Sequence, residues 1–232
     1  MREGTVGLPW FWKALLIILG VTAMTLIVLA VVDQRAQTAA AERAAAHFTA
    51  NDSRVTFAVV GDSVTAANSA EIDSGEAGDG SWAYYANGGG AQLVGGWALG
   101  GATTAIMAQN VKRYNADVLV ILAGTNDVGG GLTFSESTKG LKSVVRTVGI
   151  QKVIVSSIPP RDDDPAAAVT YNADLRVLAA QQGWVFVDAM TKIRGPNNRY
   201  RSGCTSDGVH PTPAAARLIG AAIRPIIVES AG

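Results

Sequence analysis

Cysteine is almost absent from this chain: Cys204 stands alone among 232 residues. A single thiol closes no intramolecular disulfide and cannot supply a Cys-based zinc site, so the fold must rest on its apolar core. No Cys/His signature surrounds Cys204, and a small, partly buried loop side chain is its plainer reading. Histidine is nearly as scarce, with only His47 and His210. Neither sign of charge is in excess, since 19 Lys and Arg balance 19 Asp and Glu. That balance gives no basic surplus for a nucleic-acid backbone and no acidic tail. No internal repeat is visible. The runs Gly88–Gly90 and Gly129–Gly131 lack the Lys-Ser/Thr that completes a phosphate-binding loop, and read as turns. The length suits one domain of ordinary size with an appendage.

The appendage is at the N-terminus. Ala14 to Val32 is 19 residues without a charge, close to the roughly 20 that span a bilayer as a helix. Trp10, Phe11 and Trp12 precede it, where an aromatic belt belongs. A buried helix of a soluble domain rarely stays apolar on every face for so long. Arg2 and Lys13 lie before the segment, and Asp33, Arg35, Glu42 and Arg43 balance after it. The expectation is therefore a cytoplasmic N-terminus over 1–13, a transmembrane anchor over 14–32, a linker or stalk over 33–53, and an extracytoplasmic domain over 54–232. Ala39-Ala40-Ala41 resembles a cleavage site and keeps a cleaved, secreted form open as the alternative. It lies far from the end of the apolar stretch, which is itself longer than a usual signal core.

From Val55 the pattern becomes short apolar runs closed by turn residues: Val55 to Val60, Gln92 to Leu99, Val118 to Ala123, Val153 to Ile158 and Trp184 to Val187. Continuous apolar strands imply burial on both faces, the mark of a parallel sheet. Helical stretches are expected over Thr103 to Arg113, Ser135 to Val148, Pro165 to Gln182 and Pro213 to Ile223, the last capped by Thr212. Such alternation gives a doubly wound α/β sandwich of three layers, whose ligands sit at the carboxyl ends of the strands.

The distinctive residues fall at those ends. Serine is a poor nucleophile until a base takes its proton, and the usual base is a histidine oriented by a carboxylate. His47 precedes the first core strand, which leaves His210 as the reasonable base. Asp207 stands three residues before it in Asp207-Gly208-Val209-His210-Pro211, where a turn could fold the carboxylate back onto the imidazole. Ser63 ends the first strand in Gly61-Asp62-Ser63, which is not the Gly-x-Ser-x-Gly elbow. Asn126 could donate to a developing oxyanion, and Gly101 could offer an unobstructed N–H. Each of these features, alone, is also compatible with an ordinary turn.

Together they form a pattern. Gly61-Asp62-Ser63, Gly100-Gly101-Ala102-Thr103-Thr104, Gly124-Thr125-Asn126-Asp127 and Asp207-Gly208-Val209-His210-Pro211 occur in the order of the four blocks of the SGNH hydrolases, the GDSL esterase/lipase family, which the chain resembles over about residues 55 to 225. The resemblance implies a flavodoxin-like fold with a mostly parallel five-stranded sheet. It implies a catalytic triad of Ser63, Asp207 and His210, and an oxyanion hole from the Ser63 and Gly101 amides and the Asn126 side chain, with no metal or other cofactor. The expected activity is hydrolysis of short acyl or acetyl esters on small molecules, envelope glycans or lipids. An O-acyltransferase with the same triad, or a non-catalytic envelope-binding module, is the alternative, and the oligomeric state is left open. Val64 stands where the family name has Leu, and the glycine block is the loosest match.

Two further features adjoin the expected site. Asp73, Glu76 and Asp79 lie in one polar loop, and Arg161-Asp162-Asp163-Asp164 in another; both are expected to be mainly solvated. Trp82, Tyr84 and Tyr85 could stack on a sugar, but at least two of them are expected in the core.

Overall fold

The computed structural model describes residues 54–230, together with Trp10, Gln34, Arg35 and Thr38. The expected membrane span at 14–32 lies outside the described residues, as does nearly all of the expected linker. Among the described residues no helix is long and apolar enough to cross a membrane.

Five strands carry the domain: β1 (Val55–Gly61), β2 (Ala91–Ala98), β3 (Val118–Leu122), β4 (Lys152–Ser156) and β5 (Val185–Val187). They form one sheet in the order β2-β1-β3-β4-β5, and every pairing is parallel. The apolar runs bury both faces. Phe57 and Val59 of β1, with Val118, Val120 and Leu122 of β3, enter one core. The alternate residues Ala58, Val60, Leu119 and Ile121 enter the other. This is the period-two alternation of a strand sandwiched between two helical layers.

The longer helices cover those faces. α1 (Ser63–Ala66), α2 (Trp82–Ala86), α3 (Thr104–Asn110), α4 (Thr125–Gly129), α5 (Phe134–Val148), α6 (Pro165–Gln182) and α7 (Pro213–Ser230) follow one another between and after the strands. α2 and α7 pack on the first core, and α3, α5 and α6 on the second. Local chemistry sets their starts. Thr133 and Glu136 close a reciprocal capping box on α5, and Asp164 caps α6 with Pro165 following it. Thr212 Oγ1 accepts from Ala215 N at 3.4 Å at the head of α7.

Two expectations need correction. α3 stops at Asn110 instead of Arg113, with Val111 already extended. α7 runs past Ile223 and through Pro225 to Ser230. An interior proline costs a helix about 3 kcal/mol. Here Ile223 and Ile227 flank it, both fully buried in the first core, and Arg224 anchors the same turn on the carbonyls of Tyr85 and Ala86. Packing thus carries the helix across its own breaker.

Candidate active site

The site is assembled from the carboxyl ends of β1, β2 and β3 and from a loop that precedes α7. β1 ends at Gly61, where a Cβ would lie 2.1 Å from Thr65 Oγ1; only glycine lets the chain turn so tightly into α1. Asp62 then caps α1, its Oδ1 accepting from Val64 N at 3.0 Å. Ser63 is the first residue of the helix and is half-exposed.

Across 147 positions of sequence, Ser63 Oγ lies 2.9 Å from His210 Nε2. The other ring nitrogen, Nδ1, lies 2.7 Å from Asp207 Oδ2. Asp207 Oδ1 accepts from the backbone N–H groups of His210 at 2.8 Å and Val209 at 2.9 Å. These donors, the His210 amide first and then its ring, hold the Asp207 carboxyl well below the usual carboxylate range. Asp207 thus stays ionised to fix the ring, and a neutral imidazole with its proton on Nδ1 turns Nε2 toward the serine as an acceptor. The Asp-x-x-His spacing is explained by this turn: one carboxylate bonds both the backbone and the ring of the residue three positions on.

The expected oxyanion donors lie in two adjoining turns. Gly101 has φ +77°, the left-handed region open to glycine, and the space where a Cβ would stand is empty. The N–H groups of Ser63 and Gly101 donate to no acceptor among the described residues. Asn126 Nδ2 donates to Ala102 O at 3.0 Å, which ties the asparagine to the glycine turn and leaves its second amide hydrogen for a ligand. The glycine turn is in turn fastened to β1, with Leu99 N donating to Gly61 O at 3.3 Å. A cavity of about 310 Å³ opens beside the serine, lined by Ser63, Val64, Ala66, Ala67, Gly80, Gly100, His210 and Pro211. Gly100, not Gly101, borders this cavity, and Asn126 lies outside its lining.

Several residues given no part in the catalytic site from the sequence support this arrangement. Asp62 is fully buried, and its Oδ2 has no partner. Burial pushes its carboxyl up to about 7, against the pull of the Val64 N–H. Asp127, also fully buried, accepts from Thr104 Oγ1 at 2.5 Å, Thr104 N at 3.0 Å and Ser137 Oγ at 2.8 Å. It therefore joins the asparagine turn to α3 and α5. Trp82 Nε1 donates to Thr65 Oγ1 at 3.0 Å beneath the nucleophile turn. Both acids stand inside blocks already visible as sequence, Gly61-Asp62-Ser63 and Gly124-Thr125-Asn126-Asp127. That location was the available signal.

The first polar loop is solvated as expected, with Asp73, Glu76 and Asp79 all exposed, while the second is only partly so. Arg161 is buried, donates to Thr125 O at 3.0 Å and pairs with Asp163 at 2.6 Å, so it braces the loop of Asn126. Asp162 accepts from Tyr200 N at 2.9 Å through Oδ1 and donates its own N–H to Gly208 O. Internal partners outweigh solvent here because the loop packs on the Asp207–His210 turn. Asp73 pairs with Lys112 at 2.6 Å, and Asp79 accepts from Asn68 Nδ2 at 2.6 Å. Among the described residues no group of three or more His, Cys, Asp or Glu could hold a metal ion. Trp82 is wholly buried while Tyr84 is half-exposed. Cys204 is a free, half-buried thiol in the loop before Asp207.

Fold and site together present a Ser–His–Asp hydrogen-bonded chain at the strand ends of a parallel α/β sheet. The model of the GDSL-like Lipase/Acylhydrolase family matches residues 59–218, most of the chain. The protein belongs to this family and is a hydrolase acting on ester bonds. No curated protein matches it closely enough to count as a relative. Solved structures share its fold. A Bacteroides fragilis protein assigned as an acylhydrolase is 21% identical, with TM-score 0.61 over 77% of this chain and 88% of its own. A GDSL-like lipase from Bacteroides thetaiotaomicron is 22% identical, with TM-score 0.59 over 75% and 88%. An acetylxylan esterase from Geobacillus stearothermophilus, crystallised as a catalytic variant, is 19% identical, with TM-score 0.59 over 75% and 94%.

Proposed function

We propose that this protein is a serine esterase that removes short acyl groups, acetyl foremost, through an acyl-serine intermediate. The observation that carries the reading is the hydrogen-bonded chain Ser63–His210–Asp207. In the first half-reaction Ser63 Oγ bonds to the ester carbonyl carbon while its proton passes to His210 Nε2. The imidazolium is stabilised by Asp207. Collapse of the tetrahedral adduct breaks the bond to the alkoxy oxygen, and His210 returns the proton to the departing alcohol. Water then repeats the sequence and releases the carboxylic acid, restoring Ser63. The negative oxygen formed in each half is taken by the N–H groups of Ser63 and Gly101 and the Asn126 amide. Such donors are worth about 3–4 kcal/mol each.

The small cavity beside Ser63, walled by glycine, alanine, valine and proline, favours a short acyl group. The half-exposed triad, with 48% of the His210 side chain and 49% of the Asp207 side chain open to solvent, favours a bulky alcohol, such as a glycan, standing outside. The 19-residue uncharged segment over 14–32 supports a domain held outside a membrane by a single span, with envelope esters within its reach.

A fluorophosphonate probe tests the nucleophile. The folded protein should take up one covalent label, and Ser63→Ala should take up none; labelling that survives the substitution overturns the assignment. His210→Ala should lower p-nitrophenyl acetate hydrolysis by roughly three orders of magnitude or more, and activity within a few-fold of the parent would remove its role as base. Protease added to intact spheroplasts should digest the domain, and protection would reverse the proposed orientation.

A further inference from the structure

The loop between β5 and the catalytic turn carries Lys192, Arg194, Arg199 and Arg201 and no acidic residue over 189–206. In a chain whose charges cancel, this is a strong local concentration. The loop is built, not loose. Ile193 and Tyr200 are buried and pin its two limbs. Gly195 N donates to Arg199 O at 2.7 Å, and Arg201 N to Ile193 O at 2.8 Å. Arg194 is consumed by Asp188 at 2.6 Å. Lys192, Arg199 and Arg201 are exposed and enter no ion pair among the described residues.

The nearby carboxylates are otherwise engaged. Asp207 holds His210, Asp188 holds Arg194, and Asp162 accepts from Tyr200 N. The loop is also fastened to the catalytic turn. Tyr200 Oη donates to Val209 O at 2.8 Å, Arg199 donates to Asp162 O, and Asp162 N donates to Gly208 O. None of the three cations lines the small cavity at Ser63. A ligand that reaches both Ser63 and these cations must therefore extend beyond that cavity.

We infer that this basic loop is a recognition rim for the alcohol portion of the substrate, and that the portion is a carboxylate-bearing glycan. The inference rests on the proposed esterase reading and names its substrate class. Its turn presents Asn197 and Asn198, both exposed and both at φ 59°, so amides suited to sugar hydroxyls stand beside cations suited to carboxylates. An anionic lipid surface would call for large apolar side chains among the cations, and the exposed residues of this loop are instead Thr, Lys, Pro, Asn, Arg, Ser and Gly.

Three substrates separate the outcomes: p-nitrophenyl acetate, O-acetylated xylan without uronic acid, and O-acetylated polygalacturonate. The wild-type protein should release acetate from the polygalacturonate with a KM that rises roughly tenfold between low and high salt, as expected of screened rim charges. Its KM for the neutral xylan should stay level. The double variant Lys192→Gln, Arg201→Gln, which spares the Arg199 tie to the catalytic turn, should lose about five-fold or more in kcat/KM on the anionic polymer alone, with p-nitrophenyl acetate turned over within two-fold of the parent. Equal salt response on both polymers, or a variant that loses nothing on the anionic one, overturns the rim. Activation by anionic phospholipid vesicles instead of by uronate overturns the choice of a glycan. Failure of wild-type protein on p-nitrophenyl acetate would instead refute the esterase reading beneath it. The wild-type salt series decides the matter even if the double variant does not fold.

Discussion

Asp62 and Asp207 are two carboxylates of one site held in opposite states by their surroundings. Asp207 is half in solvent and ringed by N–H donors, so its anion is favoured. Asp62 is wholly buried with one oxygen unpaired, so its neutral form is favoured, its carboxyl rising from the ordinary 3.8 to about 7. For an acid raised on folding, the unfolded chain gives up its proton first. Asp62 therefore costs nothing below about pH 4, draws stability down as pH climbs from about 4 to about 7, and leaves a constant penalty above, up to roughly 4 kcal/mol. Asp62→Asn mimics the neutral acid and cannot ionise. The difference in denaturant stability between variant and parent should favour the variant increasingly across that window and level off above it. A flat or inverted difference would mean that Asp62 is ionised in the folded protein. Gly100 offers a second residue-level check. A Cβ there would lie 3.9 Å from Ser63 Cβ, so Gly100→Val should narrow the cavity. It should lower kcat/KM for p-nitrophenyl butyrate at least several-fold more than for the acetate, as a methylene or two in a confined pocket does.

Among the elements, the short α4 depends most on one side chain. Asp127 draws together Thr104 of α3 and Ser137 of α5, and Asn126 rides on the same turn. Asp127→Ala would strand three buried donors, each costing about 1–3 kcal/mol when unpaired. A loss of at least 3 kcal/mol in chemical denaturation is expected, with a fall in kcat on p-nitrophenyl acetate because Asn126 loses its support. The strands were legible from apolar runs alone, since β1, β3 and β4 are buried on both faces and read without alternation. α6 was legible to the residue, because Pro165 and Gly183 punctuate it. α1, α2 and α4 were not; four or five residues hold too little periodicity to stand out, and their caps look like turns. The triad was legible because its blocks are local. The burial of Asp62 was not, since it depends on groups far away in the chain, Asp127 and His210 among them, and sequence spacing carries no record of that.

At the scale of the whole molecule, every strand pairing is parallel, so each requires a crossover and each face receives a helical layer. The reactive residues gather at the carboxyl ends of β1, β2 and β3, and the bulk of the fold serves as a platform beneath them. The cavity of about 310 Å³ at Ser63 sets the expected selectivity. Across p-nitrophenyl esters of increasing length, acetate and propionate should exceed octanoate by tenfold or more in kcat/KM. A preference for the long chain would mean that the acyl group lies elsewhere, along an open surface.

The separation of 147 positions between Ser63 and His210 also has a meaning in time. A ribosome delivers the serine well before the histidine, and a contact so distant in sequence is slow to close in folding. Until the final loop docks, the serine is an ordinary alcohol. On the proposed mechanism the nascent chain is therefore chemically silent until His210 has been made and its loop has docked on Ser63.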